Sequence, residues 1–132
     1  MLTIEQVEQE LQMSEHEIRY YTNLGFIPNV KRNDQNERVF DEQSLDWLRV
    51  CDMLRNSGMS IKQIKQYVDL CKVGIDSMDE RLSIIKGEQT RAVQRLKAAE
   101  KNLKLLNEKI EDYEQAIAEH KNVDPLSSQD IN

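Results

Sequence analysis

The chain has 132 residues, of which 32% are charged and 39% hydrophobic, and its formal net charge is −6. Two Phe, four Tyr, one Trp, four Gly and two Pro are few for that length. This excludes a large enzyme core, a collagen-like or Pro-rich chain and a disulfide scaffold, and favours long exposed helices over a sandwich or barrel.

The first element predicted is a short helix from Thr3 to Glu10. Thr3 is an N-cap with Gln6 at the capping-box position, and Ile4, Val7 and Leu11 form a helical stripe. A break at Gln12-Met13 precedes a second cap, Ser14-Glu15-His16-Glu17. Ile18, Tyr21 and Leu24 continue that helix to Gly25, a residue suited to a left-handed C-cap. Two short helices about a tight turn read as a helix-turn-helix. Pro28 then stops regular helix. Val30-Lys31-Arg32 and Arg38-Val39-Phe40 flank Asn33-Asp34-Gln35-Asn36, whose residues suit a turn, so a small β-hairpin wing is expected. Asp41 caps a third helix to about Asn56, with Leu45, Leu48, Val50 and Leu54 among its apolar residues. Gly58 ends it, Ser60 caps a fourth with Ile61, Ile64, Tyr67, Val68 and Cys71, and Gly74 closes that one.

Beyond Gly74 the pattern changes. Ile75, Met78, Leu82, Ile85, Gln89, Ala92, Leu96, Ala99, Leu103, Leu106, Ile110, Tyr113, Ile117 and His120 keep a 3-4 spacing through about six heptads, with charged residues on the other faces. Such a helix is on the order of 65 Å long. A lone copy leaves its seam in water, and burying each large side chain is worth roughly 1.5–3 kcal/mol. A partner helix is therefore expected, most simply from an identical chain. Gly87 is a weak spot beside the polar seam residue Gln89. The predicted organisation is a small DNA-binding-type domain over 1–74, a coiled-coil dimerisation helix over 75–120 and a flexible tail over 121–132, rich in Ser and Asp.

Residues 1–74 hold nine basic and twelve acidic side chains, and residues 75–132 hold the same numbers. Neither half is basic. Between Ile18 and Phe40, however, Arg19, Lys31, Arg32 and Arg38 outnumber Asp34 and Glu37, which places positive charge on the second helix and the wing. No apolar run is long enough to span a membrane. Met1-Leu2-Thr3-Ile4-Glu5-Gln6 lacks the basic-then-apolar order of a secretory signal. Cys51 and Cys71 accordingly read as reduced thiols of a cytoplasmic protein. His16 and His120 lack metal-ligand spacing, and no cofactor is called for. Neither a Cys-x-x-Cys motif nor a nucleophile elbow supports a thiol enzyme.

Ser14-Glu15-His16-Glu17-Ile18-Arg19-Tyr20-Tyr21, then Leu24-Gly25-Phe26-Ile27-Pro28, then Arg38-Val39-Phe40 resembles the start of the MerR family of transcriptional regulators. The resemblance continues through Leu54-Arg55-Asn56-Ser57-Gly58-Met59-Ser60-Ile61-Lys62-Gln63-Ile64 and covers roughly Leu2 to Cys71. It implies a mainly α fold: a winged helix-turn-helix followed by a long helix that pairs as an antiparallel coiled coil. It further implies a homodimer on a pseudopalindromic site in double-stranded promoter DNA. There the family bends and untwists an overlong spacer so that RNA polymerase, an indirect partner, engages both promoter elements. The second helix enters the major groove and the wing lies along the adjacent backbone.

The residues expected to meet DNA are Thr3, Ser14, His16, Arg19, Tyr20, Tyr21, Lys31, Arg32, Asn36 and Arg38, with Arg19, Tyr20, Tyr21 and Arg38 in the family's motif positions. Arg19, a tyrosine hydroxyl and Arg38 are expected to donate to phosphates; the other reading of Tyr21 packs it beneath its helix. The chain departs from the family at three places. His16 stands where many relatives have Arg, and Asn36 and Glu37 stand where they often have Gly and Tyr. Asn36 can supply the left-handed turn, whereas Glu37 adds negative charge to the wing. Leu82, Ile85, Leu96, Leu103, Leu106, Ile110, Tyr113 and Ile117 are the expected dimerisation residues.

One branch of the family reads small electrophiles through a thiol on the third helix, which makes Cys51 and Cys71 the candidate sensors here. The branch's thiol position falls on Met53. Cys51 is two residues earlier, about 200° around the helix, so the carry-over fails on alignment. Trp47 reads as a core or interdomain residue. The competing reading of the whole chain is a coiled-coil protein-interaction adaptor without DNA binding, motivated by Glu15, Glu17 and Glu37.

Overall fold

The computed structural model describes residues 1–122. The chain runs β1 (Leu2–Thr3), α1 (Ile4–Leu11), α2 (Glu15–Asn23), β2 (Lys31–Arg32), β3 (Arg38–Phe40), α3 (Glu42–Asn56), α4 (Ile61–Val73), a 3-10 turn (Ile75–Ser77) and α5 (Met78–Ala118). The mainly helical, winged helix-turn-helix architecture expected from the sequence is the one found. The tail expected over 121–132 lies, from residue 123 onward, outside the described residues.

Local chemistry starts each of the first four helices. The Thr3 hydroxyl accepts from the Gln6 amide at 3.4 Å, and the Gln6 side chain accepts from the Thr3 amide at 2.9 Å. This reciprocal box satisfies two donors that a helix start otherwise leaves without a partner. Ser60 and Gln63 repeat it on α4. Ser14 and Asp41 cap α2 and α3 by accepting from the amides of Glu17 and Ser44. Between α1 and α2, Gln12 takes a left-handed conformation with φ +55° and turns the chain.

The wing is the outer part of a three-stranded antiparallel sheet in the order β1-β3-β2. Lys31 faces Val39 and Arg32 faces Arg38 across the hairpin. Strand β1, which the sequence did not reveal, pairs Leu2 with Phe40 and Thr3 with Val39. Asn36 has φ +61°, the turn geometry expected of it. Asn33 builds the tip: its Oδ1 accepts from the amides of Gln35 and Glu37 at 3.0 and 2.9 Å.

Two compact units divide within α5, one of Met1–Glu88 and a second beginning at Gln89. In the first, Val7 of α1, Ile18 of α2, Phe40 of β3, Leu45, Leu48 and Leu54 of α3, and Ile64 and Val68 of α4 are sealed from solvent. Each contributes roughly 1.5–3 kcal/mol of burial. Ser44, also buried, donates to the Pro28 carbonyl at 2.6 Å and so ties the stretch before the wing to α3. Ile84 and Ile85, from the start of α5, pack against this core. The seam's first position, Ile75, lies in the 3-10 turn, because Gly74 at φ +94° breaks the helix before it. Ser77 anchors that turn by donating to the Leu70 carbonyl at 2.5 Å. In the second unit Leu96, Leu103, Leu106, Ile110, Tyr113 and Ile117 are all exposed, together with Val93 and Leu105.

Candidate nucleic-acid interface

The caps and the helical period decide what α2 presents. Ile18 and Tyr21, three apart, turn into the core, while Glu15, His16, Glu17, Arg19 and Tyr20 face out. Arg19 donates through Nε and Nη2 to Glu15 Oε1 at 2.8 and 2.6 Å. The two are i,i+4 neighbours, both about half exposed, so water screens the pair and its contribution to stability is small. The pair holds the guanidinium extended along the outer face. Glu15, one of the acidic residues that motivated the adaptor reading, is thus also the residue that orients Arg19.

The wing supplies two more arginines. Arg32 Nη1 donates to the Asn36 carbonyl at 2.8 Å, and Arg38 Nη2 donates to Asn23 Oδ1 at 2.8 Å. Arg19, Arg32, Asn36 and Arg38 line one cleft of about 210 Å³, with Ile4 and Glu37 completing its wall. Lys31, Arg32 and Arg38 also border a neighbouring hollow with Thr22, Ile27 and Val30. The cleft therefore brings together four residues singled out in the sequence. Thr3 and Ser14 are engaged in helix capping. His16 sits exposed on the outward face of α2.

The two tyrosines divide. Tyr20 is 43% exposed, whereas Tyr21 is 3% exposed and belongs to the core cluster. Their rings meet edge to face with centroids 5.9 Å apart. Burial first, then the charges of Asp52, Cys51 and Glu17, push the Tyr21 hydroxyl up to about 12. The ring of Tyr21 takes the packed position that was the other reading of this residue, because it lies at i+3 from Ile18 on the buried stripe.

Asp52 of α3 has its carboxyl raised above the ordinary range, mainly by partial burial and then by the charge of and hydrogen bond to Glu17. A raised folded value means that the folded state holds this proton more tightly than the unfolded one. The charged form therefore costs stability above the folded value, and that cost fades as the pH falls through it and is gone below the unfolded value of about 3.9. Asp52→Asn is expected to raise the melting temperature at pH 7, with the gain shrinking toward pH 4; thermal melts across that range check it.

The thiols also divide. Cys51 is sealed in the core, and burial, then Cys71 and Asp52, push its thiol up to about 12. Cys71 is half buried and accepts from Arg81 Nη1 at 3.8 Å. It lines a hollow of about 140 Å³ with Asp46, Trp47, Val50 and Tyr67. Burial thus holds Cys51 as the thiol at neutral pH, whereas the thiolate is the reactive form. Iodoacetamide under native conditions is expected to label Cys71 and to leave Cys51 intact until the protein is unfolded, as peptide mass mapping would show. No group of three or more His, Cys, Asp or Glu residues arranged for a metal ion occurs among the described residues, and no described helix is long and apolar enough to cross a membrane.

A helix-turn-helix beside a wing, with three arginines gathered where the two meet, defines a DNA-binding protein of the winged class. The family model for MerR HTH family regulatory proteins matches residues 2–71, and the chain belongs to that family of transcriptional regulators. An uncharacterized HTH-type transcriptional regulator of Haemophilus influenzae is 30% identical over 116 residues, covering 88% of this chain and 86% of that one. The HTH-type transcriptional regulator AdhR of Bacillus subtilis is 31% identical over 93 residues, 70% of this chain and 66% of that one. The fold is similar to the crystal structure of HiNmlR, a MerR family regulator lacking the sensor domain, bound to promoter DNA. That match has a TM-score of 0.87 and 29% identity, and covers 91% of each chain.

Asn23 escaped the sequence reading. Only its position at the end of α2 could have marked it, since its partner Arg38 lies 15 residues away. The Glu15–Arg19 pair was legible in principle, because a Glu four residues before an Arg is a favourable helical pair.

Proposed function

We propose that the protein acts as a homodimer on a pseudopalindromic site in double-stranded promoter DNA and controls transcription by distorting the promoter spacer. The observation that carries this reading is the arginine cleft between α2 and the wing. In it Arg19, Arg32 and Arg38 can donate to backbone phosphates and so fix the register of α2 in the major groove. Tyr20, His16 and Ser14 at the outward face of α2, Lys31 and Asn36 on the wing, and Thr3 beside it complete the proposed contact set. His16 and Glu15 are the side chains at the helix start with hydrogen-bonding groups suited to base edges. The promoter-bound state of HiNmlR supports the choice of DNA.

The exposed seam from Leu96 to Ile117 supports dimerisation through paired helices; Leu82, in the first unit, is exposed as well. Ile85 already packs against its own core, so it serves the domain more than the seam. RNA polymerase enters indirectly, through the altered spacer, and the protein works in the cytoplasm. A small electrophile is the proposed effector class, with Cys71 the accessible thiol and Cys51 the protonated, enclosed one. The test is a gel shift with the protein's own promoter region, followed by permanganate footprinting of the spacer. Binding with enhanced reactivity of spacer thymines supports the reading. Binding without any spacer change removes the distortion step, and a folded dimer that binds no promoter fragment at low salt but recovers a protein partner favours an adaptor.

A further inference from the structure

Arg19, Arg32 and Arg38 are each held by a different kind of partner. Arg19 is tied to a carboxylate on its own helix, and Arg32 to a carbonyl of its own hairpin. Arg38 alone of the three reaches from one element to another. Its Nη2 donates at 2.8 Å to Oδ1 of Asn23, the last residue of α2, while Arg38 itself opens β3. Between these residues run β2 and the turn of the hairpin, whose two strands are only two and three residues long. Strands that short carry few ladder bonds and leave a wing able to shift against the helix beside it.

We propose that Asn23 is a positioning residue for DNA, one that fixes the wing arginine, and with it the spacing between wing and recognition helix, without neutralising the arginine's charge. The proposal rests on the promoter-binding reading above. An amide suits the task. It accepts one of the five guanidinium N–H groups and leaves the others, and the full positive charge, to the cleft that Arg38 shares with Arg19 and Arg32. A carboxylate at the same place would form an ion pair and compete with phosphate. Asn23 is exposed and outside the buried core cluster, so its removal leaves the fold in place. Holding a charged side chain in its bound geometry before contact reduces the ordering cost of binding.

The experiment measures promoter-duplex binding by fluorescence anisotropy for wild type, Asn23→Ala, Asn23→Asp, Arg38→Ala and Asn23→Ala/Arg38→Ala, over a salt series, with melting curves for each. Asn23→Ala is expected to weaken binding about fivefold at unchanged melting temperature, the size of one lost orienting hydrogen bond. In the Arg38→Ala background the same change is expected to have no further effect, because the arginine it positions is gone. Asn23→Asp is expected to bind more weakly than Asn23→Ala and to flatten the salt dependence, since its charge cancels that of Arg38. Unchanged affinity of Asn23→Ala, or an equal loss with and without Arg38, overturns the proposal while leaving promoter binding intact. A wild-type protein that does not bind the duplex overturns the promoter reading itself, and this proposal with it.

Discussion

On the proposed dimer, replacing Leu103 and Ile110 together with glutamate is expected to leave a monomer and to lower promoter affinity by at least about 100-fold. Both side chains are exposed in the described chain, as are Leu96, Leu106, Tyr113 and Ile117 along the same seam. Burying each against a partner helix is worth roughly 1.5–3 kcal/mol. A pair of glutamates withdraws two of these contributions and sets unpaired carboxylates in an apolar interface, where an unpaired charge is costly. The substitutions do not harm the helix itself, because glutamate is a good helix former. The loss of affinity follows from geometry. A dimer presents two recognition helices, so its second half-site binds intramolecularly at high effective concentration, and a monomer forfeits that advantage. Sedimentation velocity gives the assembly state and anisotropy gives the affinity. A variant that stays dimeric would place the interface elsewhere on the chain.

Arg19→Ala and Arg38→Ala are each expected to weaken promoter binding by about 10- to 100-fold per half-site, as befits a lost charge-assisted hydrogen bond worth about 1.5–3 kcal/mol. Both changes are also expected to make the logarithmic salt slope shallower, by about one for each phosphate contact removed, and so by about two per dimer. Neither arginine belongs to the buried core, so melting temperatures should hold. The loss should be similar on specific and unrelated sequences, since phosphate contacts position the protein without reading bases. His16→Ala is the informative contrast. A base-edge role there changes the preference among operator variants and leaves the salt slope alone. Unchanged affinity for both arginine variants would move the DNA contact off the α2–wing cleft.

What could be read from sequence follows a physical division. Helix starts were legible because a cap is a local event: Thr3, Ser14, Asp41 and Ser60 each bond an amide three residues on. The left-handed turn at Asn36 was legible for the same reason, since the geometry belongs to the residue. Strand β1 was not. Its two residues are too few for a period-two pattern, and they become a strand only by meeting Val39 and Phe40 far along the chain. The outward and inward faces of Arg19-Tyr20-Tyr21 required the position of Ile18 on the core stripe, and that stripe sends Tyr21 inside. Family resemblance carried Arg19 and Arg38, which lie in matched motif positions. It carried nothing about Asn23, whose role is defined by a side chain on another element. The thiols show the same limit. Cys51 is a buried small residue of α3 and Cys71 lines a hollow, a difference set by α3–α4 packing and not by either local sequence.

The negative net charge is compatible with DNA binding because the positive groups are gathered and not because they are numerous. Three arginines share a cleft of about 210 Å³ on a chain of net charge −6. The most direct measurement is therefore a titration of the protein's own promoter duplex, with complex stoichiometry determined by native mass spectrometry and affinity followed across a salt series. The expected result is two chains per duplex, with affinity falling steeply and linearly in the logarithm of salt concentration. A folded protein that shows no complex at low salt would contradict the account.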